Sequence, residues 1–390
     1  MSPQASRRSF LASAFATAAA ASPPRNYRVA VIGHTGRGNY GHGMDMVWRS
    51  VQQTKVIAVA DADPAGRAAA AKRIGAARAY ADYRDMLRQE KPDVVAVGPR
   101  SLDEREQMVI AAAEAGAHIF TEKPFARTPI EADRMVRAVQ RNKVKLQVAH
   151  QMRVSPYMLR AKAMVDAGEI GEIQEMRTRG KEDRRAGGED LMVLGSHLFD
   201  MLRFFLGDPK WVVSHVTTNG DEIAAKDVKQ ATEPIGAIAG NQIAAMFAFT
   251  KGVHAYFSSR ASSQTDPLRF GTWLYGSKGV IFLPMAIYPD GALYMLRSPA
   301  WLPDERNRWQ RIDVPLDAAT QAIASKAGRE TANALMVADL LRAVEEDGKP
   351  CCNEHDGRWT IEMVHGVYQA QRSGGRVDFP LKSRTHALNC

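Results

Sequence analysis

Ala117-His118-Ile119-Phe120-Thr121-Glu122-Lys123-Pro124 is the stretch from which the fold is read. Its apolar run follows the helix-ending Gly116 and reads as a buried strand, yet it stops in an acid, a base and a proline. In an open parallel sheet, ligands lie outside the carboxyl ends of the strands, so a lysine in the first turn after one is aimed at the crevice. Pro124 lacks a backbone donor and has a fixed φ, which holds Lys123 on a stiff turn. On this stretch alone, an ordinary surface lysine beside a turn proline reads as well. The flanking chain decides between them.

Upstream, Tyr27 to Ile32 alternates into a buried strand and runs into Gly33-His34-Thr35-Gly36-Arg37-Gly38-Asn39-Tyr40-Gly41. Gly36, Gly38 and Gly41 spell G-x-G-x-x-G. Such glycines let a backbone turn sharply and approach a pyrophosphate, whose charge then rests on the N-terminus of the next helix. Gly33 stands where the first glycine usually falls, so the loop is longer than the common form. A second strand, Val56 to Ala60, ends in Asp61, 28 residues after Gly33, against a usual spacing of about 20. An acid there accepts hydrogen bonds from an adenosine ribose and repels a 2′-phosphate, which favours NAD; Arg67 keeps NADP open, and a helix cap in the Asp61-Ala62-Asp63-Pro64 turn is the competing reading. A helix through Ala65–Ile74, a pairing near Ala79–Tyr80 and a buried strand Val94–Val97 follow, the last ending at Gly98-Pro99-Arg100. Helix Glu104–Ala115 leads into the opening stretch, and helix Ile130–Asn142 and strand Lys145–Ala149 complete a unit of residues 25–150. Alternation of strand and helix predicts a parallel sheet with right-handed crossovers.

Beyond His150 the texture changes. A helix from Pro156 to about Gly168 precedes strand-like runs at Ile173–Thr178, Val212–Thr218, Gln242–Thr250, Val253–Ser259, Gly271–Tyr275 and Val280–Leu283, several joined by hairpin-type turns. Amphipathic helix Asn333–Glu346, helix Thr360–Arg372 and strand Arg376–Phe379 close the chain. Residues 151–385 thus predict an α+β domain with a mostly antiparallel sheet. Its first two strands flank the polar, glycine-hinged loop Gly180 to Asp190, and one helix, Leu191 to Gly207, comes next. His197 and Asp200 share a face of that helix. A lone histidine on an apolar helix is as readily a core residue as a catalyst.

Composition is that of a globular chain, with 45% hydrophobic and 24% charged residues among 390. The net charge of +9 comes from Lys and Arg scattered among Asp and Glu, without the one-sided basic runs of a nucleic-acid surface. No stretch after the leader reaches the roughly 18 apolar residues of a membrane span. Ser6-Arg7-Arg8-Ser9-Phe10-Leu11, followed by small and weakly apolar residues to Ala21, has the pattern of a twin-arginine export signal over residues 1–21. That route carries folded proteins, commonly with a cofactor inside. It predicts an extracytoplasmic or periplasmic address. Of three cysteines, Cys351 and Cys352 are adjacent and Cys390 is terminal, so no disulfide framework is readable. No metal site is expected.

Together, the first strand and glycine loop, Val59-Ala60-Asp61, Glu122-Lys123-Pro124, Gly168-Glu169-Ile170-Gly171-Glu172-Ile173, Gly195-Ser196-His197 with Asp200, and Tyr275-Gly276-Ser277-Lys278-Gly279 resemble the Gfo/Idh/MocA oxidoreductases, relatives of glucose-fructose oxidoreductase and inositol dehydrogenase. The resemblance implies an N-terminal Rossmann domain, a substrate and oligomerisation domain, and hydride transfer between a nicotinamide and a ring carbon of a sugar or cyclitol. It implies cofactor contacts from Gly33, Gly36, Gly38, Gly41, Asp61, Pro99, Glu122 and Lys123. Lys123 matches the family's substrate-contacting lysine and His197 its catalytic histidine, with Asp200 beside it; a homodimer or homotetramer is implied. Two positions depart from the pattern. Inositol-type members carry Asp four residues before the histidine, where this chain has Val193, and Asp190 or Glu189 is the expected substitute. A histidine usually lies four residues after the proline of the third strand, where this chain has Asp103. Arg153, Asp183 and Arg184 join Glu189 and Asp190 as candidate substrate contacts. An exported enzyme must regenerate its NAD on the spot, so a redox-neutral cycle is expected, including a glycosidase that oxidises, eliminates, adds water and re-reduces. A non-catalytic sugar-binding or assembly protein on the same fold is the alternative of another class.

Overall fold

Runs of Val, Ile and Ala buried on both faces build the first half of the chain. The computed structural model describes residues 25–262 and 266–389, so the expected export leader at residues 1–21 lies outside the described residues. Strands β1 (Tyr27–Ile32), β2 (Thr54–Ala60), β3 (Arg78–Tyr80), β4 (Val94–Val97), β5 (His118–Thr121) and β6 (Leu146–Val148) pair in parallel in the order β3-β2-β1-β4-β5-β6. Helices α1 (Pro64–Ile74), α2 (Tyr83–Glu90), α3 (Arg105–Glu114) and α4 (Pro129–Arg141) connect them. Asp63 caps α1 by accepting from the Gly66 amide, and Thr128 caps α4 by accepting from Glu131, each just before a proline at the first helical position. α2 carries too few apolar residues to stand out in the sequence. The strand order reverses between β1 and β4, which opens the crevice at the sheet's carboxyl edge.

One expectation fails here. No α-helix follows β1; the chain from Gly33 to Gln53 runs through turns, with His34 and Asn39 bridged antiparallel and only a three-residue 3-10 turn at Val47–Arg49. Gly36, Gly38, Gly41 and Gly43 all take positive φ, as does Asn39. Glycines cost a helix about 1 kcal/mol each, so this density selects the turn. No helix N-terminus stands behind the G-x-G-x-x-G.

The second half begins with α5 (Pro156–Asp166), β7 (Ile173–Arg179), α6 (Gly188–Val193), α7 (Gly195–Leu206), β8 (Trp211–Thr218), β9 (Asp221–Glu222), β10 (Lys229–Gln230), β11 (Ala237–Ile238), β12 (Gln242–Ala248) and β13 (His254–Arg260). It continues with β14 (Gly271–Gly276), β15 (Val280–Pro284), β16 (Tyr294–Leu296), β17 (Gln310–Arg311), α8 (Ala318–Ala327), α9 (Thr331–Glu345), α10 (Glu354–Ser373) and β18 (Val377–Asp378). The large sheet runs β17-β16-β15-β14-β7-β13-β12-β8-β18, with β9 on β8. Every pairing in it is antiparallel except β7 with β13. No described helix is long and apolar enough to cross a membrane.

The boundary at residue 150 is crossed in space. Val148 donates to the Cys352 carbonyl at 2.8 Å and Cys352 to Gln147 Oε1 at 3.2 Å. From α9, Asn333 donates to the His42 carbonyl at 2.6 Å. The chain's late helices therefore brace the parallel sheet.

Candidate active site

Lys123 leaves β5 through a cis peptide bond to Pro124 and is almost fully buried. Its Nζ donates to the Val193 carbonyl at 3.2 Å. That carbonyl lacks its backbone partner because the helix expected as one piece from Leu191 breaks at Leu194: His197 N–H donates to the Leu194 carbonyl instead of that of Val193, which otherwise accepts a long bond of 3.5 Å from the Ser196 hydroxyl. The position that lacks the family's aspartate thus meets the lysine through its backbone. Burial pushes the Lys123 ammonium below its ordinary range, against the opposing pull of Glu122 and Glu233.

Glu122 turns the other way. Its Oε1 accepts from the backbone and the Nδ1 of His42 at 2.7 and 2.6 Å, and Oε2 from the Lys123 amide at 2.9 Å. Burial would raise this carboxyl, but the His42 bonds and the charge of Lys123 bring it down to about 2. Glu122 is a fixed anion behind the lysine. The fully buried Arg105 guanidinium donates to the carbonyls of Pro99, Glu122 and Pro124, tying the ends of β4 and β5 together.

His197 comes from α7 and enters the same cavity, a space of about 640 Å³ that it lines with Lys123, His42, Arg100, Gln151 and Glu233, closed opposite by Phe270, Met285 and Ile287. Burial, together with the positive fields of Lys123 and neighbouring histidines, holds His197 well below its ordinary range. It is neutral at pH 7, the form that accepts a proton.

The remaining expected residues are placed elsewhere. Asp200 lies one turn below His197, fully buried, with Oδ2 and Oδ1 accepting from Arg153 Nε and Nη2 at 2.8 and 2.7 Å. Arg153 also reaches Asp356 at 3.3 Å. This pair is internal and neither member lines the cavity. Asp190 accepts from the Ser259 hydroxyl at 2.6 Å and from the amides of Glu182 and Lys181. Glu189 accepts from Thr232 and the Glu233 amide. Both acids hold loops together, because short-range amides and hydroxyls reach them before the cavity does, and neither stands in for the aspartate missing at Val193. Asp183 is held by Arg185, and the exposed Arg184 reaches Thr232 at 3.4 Å. Of the cavity's own polar lining, Arg185 is one of the arginines that the loop's sequence offers for clamping a substrate, whereas His42, Gln151 and Glu233 escaped the sequence reading, because each reaches the cavity from a segment without strong pattern. His150, buried just behind the cavity, did too, although it lies two residues beyond the end of β6 at the same sheet edge as Lys123.

A smaller pocket of about 170 Å³ lies at the ends of β1 and β2, lined by Gly33, His34, Asp61, Asp82, Tyr83 and Glu104 among others. Here Asp61 differs from expectation. Its oxygens accept from Thr35 Oγ1 at 2.7 Å, Tyr40 OH at 2.8 Å and the amides of Thr35 and Asp63, so the ribose-binding valences are filled from within. The Tyr40 ring covers Gly33, where an added Cβ would come within 2.0 Å of it. Gly38 and Gly41 are packed against the turn after β4: a Cβ would sit 2.4 Å from the Arg100 amide or 2.5 Å from the Gly98 carbonyl. Gly36 faces open space. The two pockets flank this loop at the point where the strand order reverses, the place where open α/β sheets hold a dinucleotide, and Lys123 and His197 line the larger one.

The comparisons agree with the fold. A family model described as "Oxidoreductase family, NAD-binding Rossmann fold" matches residues 27–150, and the Gfo/Idh/MocA C-terminal domain model matches residues 158–282. Levoglucosan dehydrogenase of Pseudarthrobacter phenanthrenivorans is 28% identical over 221 residues, 50% of this chain and 56% of that protein. D-apiose dehydrogenase of Paraburkholderia graminis is 31% identical over 191 residues, 46% of this chain and 51% of that protein. The chain spans about half the length of these curated relatives. Among solved structures, levoglucosan dehydrogenase with NADH and L-sorbose superposes with a TM-score of 0.73 at 20% identity, covering 92% of this chain and 100% of that one. The aldose-aldose oxidoreductase of Caulobacter crescentus gives 0.70 at 17% identity, covering 91% and 100%. At such identities the likeness is one of fold. With one family model on each half, the chain belongs to the Gfo/Idh/MocA oxidoreductases, and its first half is their NAD-binding Rossmann domain.

Proposed function

We propose that the protein is an NAD-dependent oxidoreductase that takes hydride from a hydroxyl-bearing ring carbon of a sugar, cyclitol or glycoside. The observation that carries this reading is the meeting of Lys123 and a neutral His197 in one cavity at the carboxyl edge of the parallel sheet. When bound, NAD supplies the hydride acceptor. A hydroxyl gives up hydride from its carbon only if its proton also leaves, and His197 accepts that proton. Lys123, already donating to a carbonyl, polarises the same oxygen and stabilises its developing charge. Glu122 keeps the lysine charged and aimed. The curated relatives named for levoglucosan and apiose support a carbohydrate substrate.

The export pattern of residues 1–21 supports a further part of the proposal: the enzyme leaves the cytoplasm folded, with NAD held tightly and recycled. Within that frame, redox-neutral glycoside cleavage is the second reading, favoured by the carboxylates of Glu233 and Asp290 in the lining of the same cavity, which give elimination an acid and base besides His197. Assembly as a homodimer or homotetramer belongs to the same proposal. On β14 and β15, Trp273 and Phe282 stack with centroids 4.3 Å apart on the half-exposed side opposite the buried Thr272 and Leu274, an aromatic face suited to a second copy.

The test is to purify the protein without added cofactor, record absorbance near 340 nm, and repeat with a panel of sugars and glycosides. Bound nicotinamide whose band changes with a sugar supports the oxidoreductase; product release without net change at 340 nm supports the redox-neutral cycle. Absence of nicotinamide, with no binding or reaction of added NAD, overturns both and leaves a non-catalytic binding role.

A further inference from the structure

His150 has no place in the reading above, yet it is completely buried beside the proposed base. Its ring centroid lies 5.1 Å from that of His197, tilted at 55°, and its Nδ1 stands 3.9 Å from Asp200 Oδ2. Neither ring nitrogen of His150 has a hydrogen-bond partner, and neither does the buried Nδ1 of His197. Three buried imidazole nitrogens without partners forfeit the hydration they have in the unfolded chain. A leucine or phenylalanine at position 150 would avoid that loss. The groups line up as His197, then His150, then Asp200, from the cavity inward.

On the basis of the proposed hydride transfer, we infer that His150 is a positioning residue for His197, seating the buried side of its ring and taking over its second proton toward the Asp200 carboxylate. At 3.9 Å the Asp200 carboxylate stands about 1 Å beyond hydrogen-bond range, close enough to stabilise a charge on His150 through space. The proton balance is simple. The carbon gives hydride to the nicotinamide, the hydroxyl proton goes to the cavity-facing nitrogen of His197, and the proton on His197 Nδ1 moves to His150, whose cation then faces Asp200. Hydride return reverses each transfer. In this way the pair takes the place of the aspartate that Val193 cannot supply.

The surroundings of His150 keep it neutral at rest. It faces Asp200 and His197 from α7, Arg153 from the turn 151–154, Lys123 from the end of β5, and Asp356 at the start of α10. Burial lowers its pKa to about 4, with Asp200 pulling the other way and Lys123 and Arg153 adding to the drop. A resting pair of neutral imidazoles can take one proton without first losing another.

The experiment uses the full chain with 15N-labelled histidine, and follows the imidazole nitrogens of wild type, His150→Gln and His197→Gln from about pH 8 down to the acid limit of folding, a range that reaches toward the depressed titration of His150. Coupling predicts that His150→Gln changes the tautomer of His197 and moves its titration by about half a pH unit or more. Resonances of His197 that superimpose on wild type throughout overturn the inference. If His150→Gln does not fold, as judged by far-UV circular dichroism, the response of His150 to His197→Gln decides in the same way. With a sugar that changes the 340 nm band, His150→Gln should lower kcat about tenfold and shift the acid limb of its pH profile at unchanged KM; a change in KM alone overturns the inference. If no sugar changes the band in wild type, the proposed function fails, and the nitrogen titrations still decide whether the two histidines act as a pair.

Discussion

Lys123 and His197 arrive from opposite halves of the chain, and what is buried around each sets its charge. Under the proposed mechanism, Lys123→Ala removes the group that stabilises the oxygen and should lower sugar-dependent nicotinamide reduction by about 10²- to 10³-fold. His197→Ala removes the proton acceptor and should cost about 10²- to 10⁴-fold; both are read at 340 nm, with circular dichroism to confirm folding. Arg153 belongs to a different category. Its guanidinium offsets Asp200 in a site where the two side chains are 10% and 1% exposed, so Arg153→Met strands a buried carboxylate and should destabilise the protein by about 3–5 kcal/mol in urea unfolding. The sequence named all three residues, but it assigned Arg153 to the substrate. Distance along the chain gives no hint that residue 153 lies against residue 200.

At the scale of elements, the glycine loop and the broken helix carry the departures from a simple dinucleotide fold. Gly38 has φ near 88° and no room for a Cβ beside the Arg100 amide, whereas Gly36 has φ near 81° and open space around it. Gly38→Ala should therefore lift the loop off the turn after β4, lowering stability by about 1–3 kcal/mol and weakening NAD binding in calorimetric titration. Gly36→Ala should cost only its backbone strain, the smaller loss of the two. A result in which both variants behave alike would mean that packing against Arg100 does not hold the loop. The break at Leu194 was hidden from the sequence because Leu191 to Leu206 reads as one apolar helical run, and a single unmade hydrogen bond at Val193 leaves no trace in periodicity.

Across the whole molecule, buried histidines set the response to acid. His150 and His365 are held down to about 4 and about 3 by burial. Below the unfolded value of about 6.5, the unfolded chain binds protons that the folded one refuses, so stability falls as pH drops from about 6.5 toward 3. Glu122, lowered to about 2, adds a second loss as pH falls from its unfolded value of about 4.5 toward 2. Scanning calorimetry should show Tm nearly level above pH 7 and falling steadily through this window. A Tm unchanged between pH 7 and 5 would contradict the neutral, buried state of these imidazoles.

The sequence by itself determined the two-part architecture, the parallel character of the first sheet, the exit of Lys123 from β5 and the family to which the chain belongs. Those features rest on periodicity, punctuation by Gly and Pro, and short motifs, all of which act over a few neighbouring residues. Only the tertiary structure decided that Asp61 is engaged by Thr35 and Tyr40, that Asp190 and Glu189 brace loops, and that His150 stands behind His197. Each of these depends on which side chain is nearest to a buried polar atom, and burial brings together residues from the turn after β6, from α6, α7 and β13, that no local pattern connects.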